Sequence, residues 1–163
     1  MNSQEFKEFC RKEFIKRGFV KKKDMFYLHG NNILCGMRLK KSNYGPCYYV
    51  QYNFFIGKHD DSTHYPTHHE ADIRLCILVL SKDTINGRRF MDGLIEYEKY
   101  DADELRTYFD HAFEKYILPP VLKDVEILLE NQKHYFASVF PQDRDRVMTK
   151  ILEALNVSSD MLN

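Results

Sequence analysis

From Tyr48 to Ile56 the chain alternates: Tyr48, Val50, Tyr52, Phe54 and Ile56 form one set of positions, and Tyr49, Gln51, Asn53 and Phe55 the other. Successive side chains of a strand point to opposite faces, so the run predicts an interior strand with one large apolar face and one half-polar face. Such a strand suits an antiparallel sheet covered by helices on one side and partly open to water on the other. The alternation recurs from Ile33 to Lys40, where Ile33, Cys35, Met37 and Leu39 oppose Leu34, Gly36, Arg38 and Lys40. It recurs again from Ala71 to Leu80, read as one continuous fourth strand. A shorter strand covers Met25 to His29, and Gly30-Asn31-Asn32 after it is a hairpin signal. Short links between strands in this order make an antiparallel meander the simplest topology.

Helical periodicity frames these strands. Phe6, Phe9, Cys10 and Phe14 share a stripe, with Lys7, Glu8, Arg11, Lys12 and Lys16 opposite. Asn2 or Ser3 caps the start, Glu5 completes a capping box with Asn2, and Gly18 ends the helix. Leu94 to Tyr97 fits a short fifth strand and a helix start equally. A helix capped by Asp101 or Asp103 then runs to about Leu118, where Pro119-Pro120 is expected to break it. Val121 to Gln132 carries a stripe of Leu122, Val125, Leu128 and Leu129, and a last helix covers about Arg144 to Leu155. The reading is a single α+β domain over residues 1–163. An N-terminal helix packs on a four- to five-stranded antiparallel meander sheet, and about three C-terminal helices follow.

Composition agrees with a folded core, with 44% hydrophobic residues, 12 Phe and 11 Tyr. Lys plus Arg equals Asp plus Glu at 24 each, so no global field draws the chain to nucleic acid or an acidic membrane. Charge is nevertheless uneven: residues 1–23 carry eight Lys/Arg against three Glu, and residues 92–130 carry eleven Asp/Glu against four Lys/Arg. With no secretory leader and no bilayer-length apolar run, a cytoplasmic protein without a membrane partner is expected. Cys10, Cys35, Cys47 and Cys76 sit at apolar positions without C-x-x-C spacing, which predicts reduced core thiols.

The opening Phe-rich helix, Gly18-Phe19-x-Lys21-Lys22-x-x-x-Phe26-Tyr27, the alternating strands, Asp72-x-Arg74 and Ile117-Leu118-Pro119 resemble the uncharacterised bacterial family known as domain of unknown function 4304. The resemblance covers roughly residues 3–130. It implies an α+β domain and supplies no catalytic residues. Some small bacterial domains of this general look are grouped with immunity proteins of toxin systems, which points toward protein binding.

Two constellations are candidates for function. The first is the outward sheet face, where Arg38, Tyr49, Gln51, Asn53, Phe55, Asp72 and Arg74 combine the planar amides, aromatics and arginines that interfaces use. The second is the polar loop Lys58 to Glu70, which holds His59-Asp60-Asp61, His64 and His68-His69-Glu70 ahead of Asp72. His59, His64, His68, His69 and Glu70 are residue types that bind divalent metals, although Pro66 argues against a regular helix aligning His64 with His68. Lys21 to Lys23 with Lys40 and Lys41 read first as a solubilising patch beside a strand edge, so nucleic acid is ranked down as a partner. No nucleophile elbow, P-loop or dinucleotide turn occurs. The expectation is a non-enzymatic, immunity-like protein-binding module needing no cofactor, which binds through the sheet face around Arg38, Gln51, Asn53 and Arg74 together with the Lys58 to Glu70 loop. The alternative is a metal-binding protein or metal-dependent hydrolase using loop residues 59–72, with Glu70 or Asp72 as base. A homodimer through the aromatic rim Tyr44, Tyr48 and Tyr49 is a third reading.

Overall fold

The computed structural model describes residues 1–60 and 64–162, with side chains described through residue 156. The first helix, α1 (Ser3–Ile15), starts at a complete capping box in which Asn2 and Glu5 satisfy each other's backbone N–H groups. It ends before Gly18, whose φ of 95° suits a residue without Cβ. Five strands then form a sheet in chain order: β1 (Val20–Lys22), β2 (Met25–His29), β3 (Ile33–Lys41), β4 (Tyr48–Ile56) and β5 (Ile73–Cys76), each antiparallel to the next. The mixed α+β class and the meander order follow the sequence expectation. β1 does not, because its three residues are all exposed and carry no apolar alternation.

The continuous strand expected from Ala71 to Leu80 is two pieces. Ile77 N still donates to Val50 O, but the chain then leaves β4, and β6 (Val79–Leu80) pairs with β7 (Met91–Asp92) in a separate ribbon. The vacated edge of β4 is taken by β8 (Leu94–Ile95), opposite Tyr48 and Tyr49. This resolves the ambiguous Leu94 to Tyr97 segment as a strand followed by a single 3-10 turn at Tyr97–Lys99. Residue pattern alone cannot show that one edge is shared end to end by two short strands.

Helices cover the face formed by Tyr48, Val50, Tyr52, Phe54 and Ile56, all 7% exposed or less. Phe6 stacks on Tyr48 at 5.5 Å, and Phe14 meets Phe26 edge-on at 5.2 Å. The next helix, α2 (Ala102–Ala112), contributes Leu105 and Phe109 and starts at a capping box of Asp101 and Glu104. One link joins the basic and acidic stretches of the sequence here, since Arg17 beside α1 pairs with Asp110 of α2.

Pro119-Pro120 does not break the helix as expected. The turn widens to a π-helix over Phe113–Ile117, and α3 (Leu118–Leu122) continues through both prolines. The carbonyl of Tyr116, which the absent N–H of Pro120 leaves free, accepts a hydrogen bond from Tyr135 Oη at 2.7 Å. Beyond Lys123 the expected single helix to Gln132 is two short ones, α4 (Ile127–Glu130) and α5 (Gln132–Tyr135). Val125 and Leu128 are buried, but Leu122 is 70% exposed because the break at Lys123 rotates it off the stripe. The last helix, α6 (Arg144–Leu162), seats Val147 and Ile151 in the core. All four cysteines are free; Cys10, Cys35 and Cys47 are buried and Cys76 half-buried. Among the described residues, no helix is long and apolar enough to cross a membrane.

Candidate functional site

The second face of the sheet is not open. Tyr65 packs on Tyr27 with ring centroids 4.8 Å apart, and Tyr27 Oη donates to Pro66 O at 2.5 Å. The loop therefore lies on β2 and covers a small second core of Met25, Tyr27, Leu34 and Phe55. Gly36 lies beneath it, where a Cβ would come within 2.6 Å of Met25 Cε, the movable end of a flexible side chain, and 3.3 Å from the Phe55 and Tyr27 rings. This corrects the surface drawn from strand alternation. Phe55 is 2% exposed and Asn53 0%, with Asn53 Nδ2 donating to Gly36 O at 3.2 Å. Neither residue is presented to a partner.

Asp72 also leaves the proposed surface. Its Oδ2 accepts from Ile56 N at 2.8 Å, while Oδ1 accepts from Arg146 Nη1 at 3.1 Å and from Lys150 Nζ at 2.8 Å. It ties α6 to the sheet instead of joining Arg74. Tyr49 and Gln51 are half-buried, Arg38 is half-buried with its Nη1 donating to Gln51 Oε1 at 3.4 Å, and Arg74 is exposed. The aromatic rim of the dimer reading is likewise split: Tyr44 is exposed, but Tyr48 is buried against Phe6 and Tyr97.

The metal-type residues are not brought to one point. His59 lies against Phe55 in a hollow shared with His29 and Lys58. His64 Nε2 meets Glu70 Oε2 at 3.4 Å, and Glu70 is already used to accept from Thr67 N at 2.7 Å. That hydrogen bond holds the Glu70 carboxyl below the usual carboxylate range. His68 and His69 face each other, with centroids 3.8 Å apart. Among the described residues, no three His, Cys, Asp or Glu side chains are grouped to hold a metal ion. Asp61 lies outside the described residues.

What the docked loop does create is a cleft of about 530 Å³ between itself, the β1–β2 turn and β3. Lys22, Lys23, Arg38, His64, His68 and His69 line it, with Asp24 the one carboxylate of the wall among the described residues, and Tyr27 and Tyr65 supply aromatic surface. Burial lowers His68 below the usual imidazole value, and the charges of Arg38, Arg74 and Lys40 act in the same direction. A neutral chain thus concentrates positive potential in one concave place. The sequence reading joins the sheet face and the loop Lys58 to Glu70 in one binding surface but sets the lysine patch apart as a solubilising surface. Tyr65 and Pro66 were the signal for joining them, because an apolar pair inside a polar loop marks where that loop adheres.

No family model, curated protein or solved structure matches this chain.

Proposed function

We propose that this chain is a non-enzymatic protein-binding module that receives an acidic segment of its partner in the cleft between the β1–β2 turn, β3 and the histidine loop. The observation that carries the reading is the convergence of Lys22, Lys23 and Arg38 on one concavity in a chain of zero formal net charge. Concave walls of one sign focus the field and favour a ligand of the opposite sign. Arg38 and the tyrosines supply the directional and apolar contacts that dominate interface energies. Of the residues first drawn as a binding surface, Arg38 lines the cleft and Arg74 is exposed outside it with its charge acting on His68, whereas Asn53, Phe55 and Asp72 serve the fold.

The test is titration of a fluorescent oligoglutamate peptide at low ionic strength. Saturable binding is expected, falling steeply with added salt. Replacing Arg38 and Arg74 together by Ala is expected to weaken it roughly tenfold or more, as loss of charge-assisted contacts does. The melting temperature should stay nearly constant, because Arg74 is exposed and Arg38 makes one long hydrogen bond. Binding that ignored both the salt and the double substitution would remove the cleft as the site.

A further inference from the structure

A second pocket, of about 540 Å³, lies where the end of β5 meets the segments around Tyr116 and α5. Its size is within the range of small-molecule sites. No part of it belongs to the histidine cleft. Its centre is an imidazole held from two sides. His134 stacks on Tyr116 with centroids 3.7 Å apart and planes 12° apart, and its Nε2 lies 2.9 Å from Tyr52 Oη.

Tyr52 is 1% exposed, and His134 is its one side-chain hydrogen-bond partner among the described residues. With the Tyr52 hydroxyl as donor to Nε2, the neutral ring carries its own proton on Nδ1. Burial, with the charge of Lys115 added, lowers His134 below the usual imidazole value and favours that neutral form. The imidazole is therefore held in place by the Tyr116 ring and the Tyr52 hydroxyl, like a binding group whose hydrogen-bonded support sets its orientation.

Around it the wall is cationic and apolar. Lys115 and Lys133 line the pocket, no carboxylate does, and neither lysine has a carboxylate within 4.0 Å among the described residues. Leu75 and Leu78 give the wall its large aliphatic surface, beside Cys76, Asn131 and Ala137, and Leu78 is 46% exposed although large and apolar. We propose that this pocket binds a small aromatic carboxylate, with the ring against Leu75 and Leu78 and the carboxylate received by His134 and the two lysines. The combination selects for charge as well as for apolar surface. Lys115 and Lys133 are exposed, so an uncharged aromatic gains nothing from them, and an inorganic anion leaves the leucines uncovered.

The experiment is an NMR titration of the full chain with 2-naphthoate, with 2-naphthylmethylammonium as a control of similar apolar body and opposite charge. Saturable shifts are expected at the His134 ring and at the Leu75 and Leu78 methyls with the carboxylate, and none with the ammonium. Replacing Lys115 and Lys133 by Ala should weaken the affinity roughly tenfold while the rest of the spectrum stays in place. Tyr52 is a positioning residue: Tyr52→Phe should move the His134 ring nitrogens away from a single tautomer and reduce the affinity. Equal response to both probes, absence of saturation, or shifts confined to the Arg38 cleft would overturn the proposal.

Discussion

Asp72→Ala is expected to cost about 3 kcal/mol of stability, which lowers Tm by roughly 6–12 °C in a chain of this size. The carboxylate is 3% exposed and is the common acceptor for three donors, Ile56 N, Arg146 Nη1 and Lys150 Nζ. Removing it leaves the Ile56 N–H buried without its acceptor, which is the expensive part. The two cations are about half exposed and turn to water at little cost, which keeps the effect at the lower end for a broken buried pair. Asp72→Asn retains the oxygen facing Ile56 and should cost about half as much. Thermal unfolding of both variants checks this. Loss of backbone amide protection in α6 ahead of the rest of the chain would locate the damage at the sheet-to-helix tie, whereas an unchanged Tm for Asp72→Ala would remove the tie from the account.

The second large effect belongs to Gly30. A Cβ at that position would lie 2.7 Å from Val121 O and 3.1 Å from Val121 Cα, both backbone atoms of α3. A flexible side chain can retreat, but a helix backbone held by buried neighbours cannot move alone. Gly30→Ala should therefore cost about 3 kcal/mol, the upper part of the range for overpacking. Gly87 gives the comparison: its φ is 75° with nothing within 4 Å of an added Cβ, so Gly87→Ala carries local strain only, about 1 kcal/mol. Denaturant unfolding should rank the two in that order with unchanged m-values. Equal costs would mean that the hairpin and α3 do not meet as closely as the structure places them.

These two residues also show where sequence reading stops. Gly30 was legible as a hairpin signal, and the hairpin is present, but its close approach to Val121 joins positions about ninety residues apart. Asp72 was read with Arg74 because residues two apart share a face of a strand. In the structure Asp72 precedes β5, and its charged partners come from α6. The outward face drawn from alternation failed at Asn53 and Phe55 for a related reason. Alternation separates two faces, but it does not tell which of them a loop will later cover.

The candidate cleft was legible only in fragments. Arg38 and the loop of His68 were read as one binding surface and Lys22 as a separate basic patch, and all three line one concavity because Tyr65 and Pro66 anchor the loop to Tyr27. The pocket at His134 gave no sequence signal. Tyr52, Tyr116 and His134 are widely spaced, and only the π-turn and the two short helices beyond Lys123 bring their rings together.

By itself the sequence determined the α+β class, the capped first helix, the order of the main strands and the apolar face of β4. These follow from local periodicity and capping, which act over a few residues. Only the tertiary structure decided the sharing of the β4 edge between β5 and β8, the passage of a helix through two prolines, and the burial of Asn53, Phe55 and Asp72. It also decided the joining of lysine, arginine and histidine into a cleft. Each depends on which distant groups satisfy a buried donor, acceptor or apolar surface, and that is settled only when the chain closes on itself.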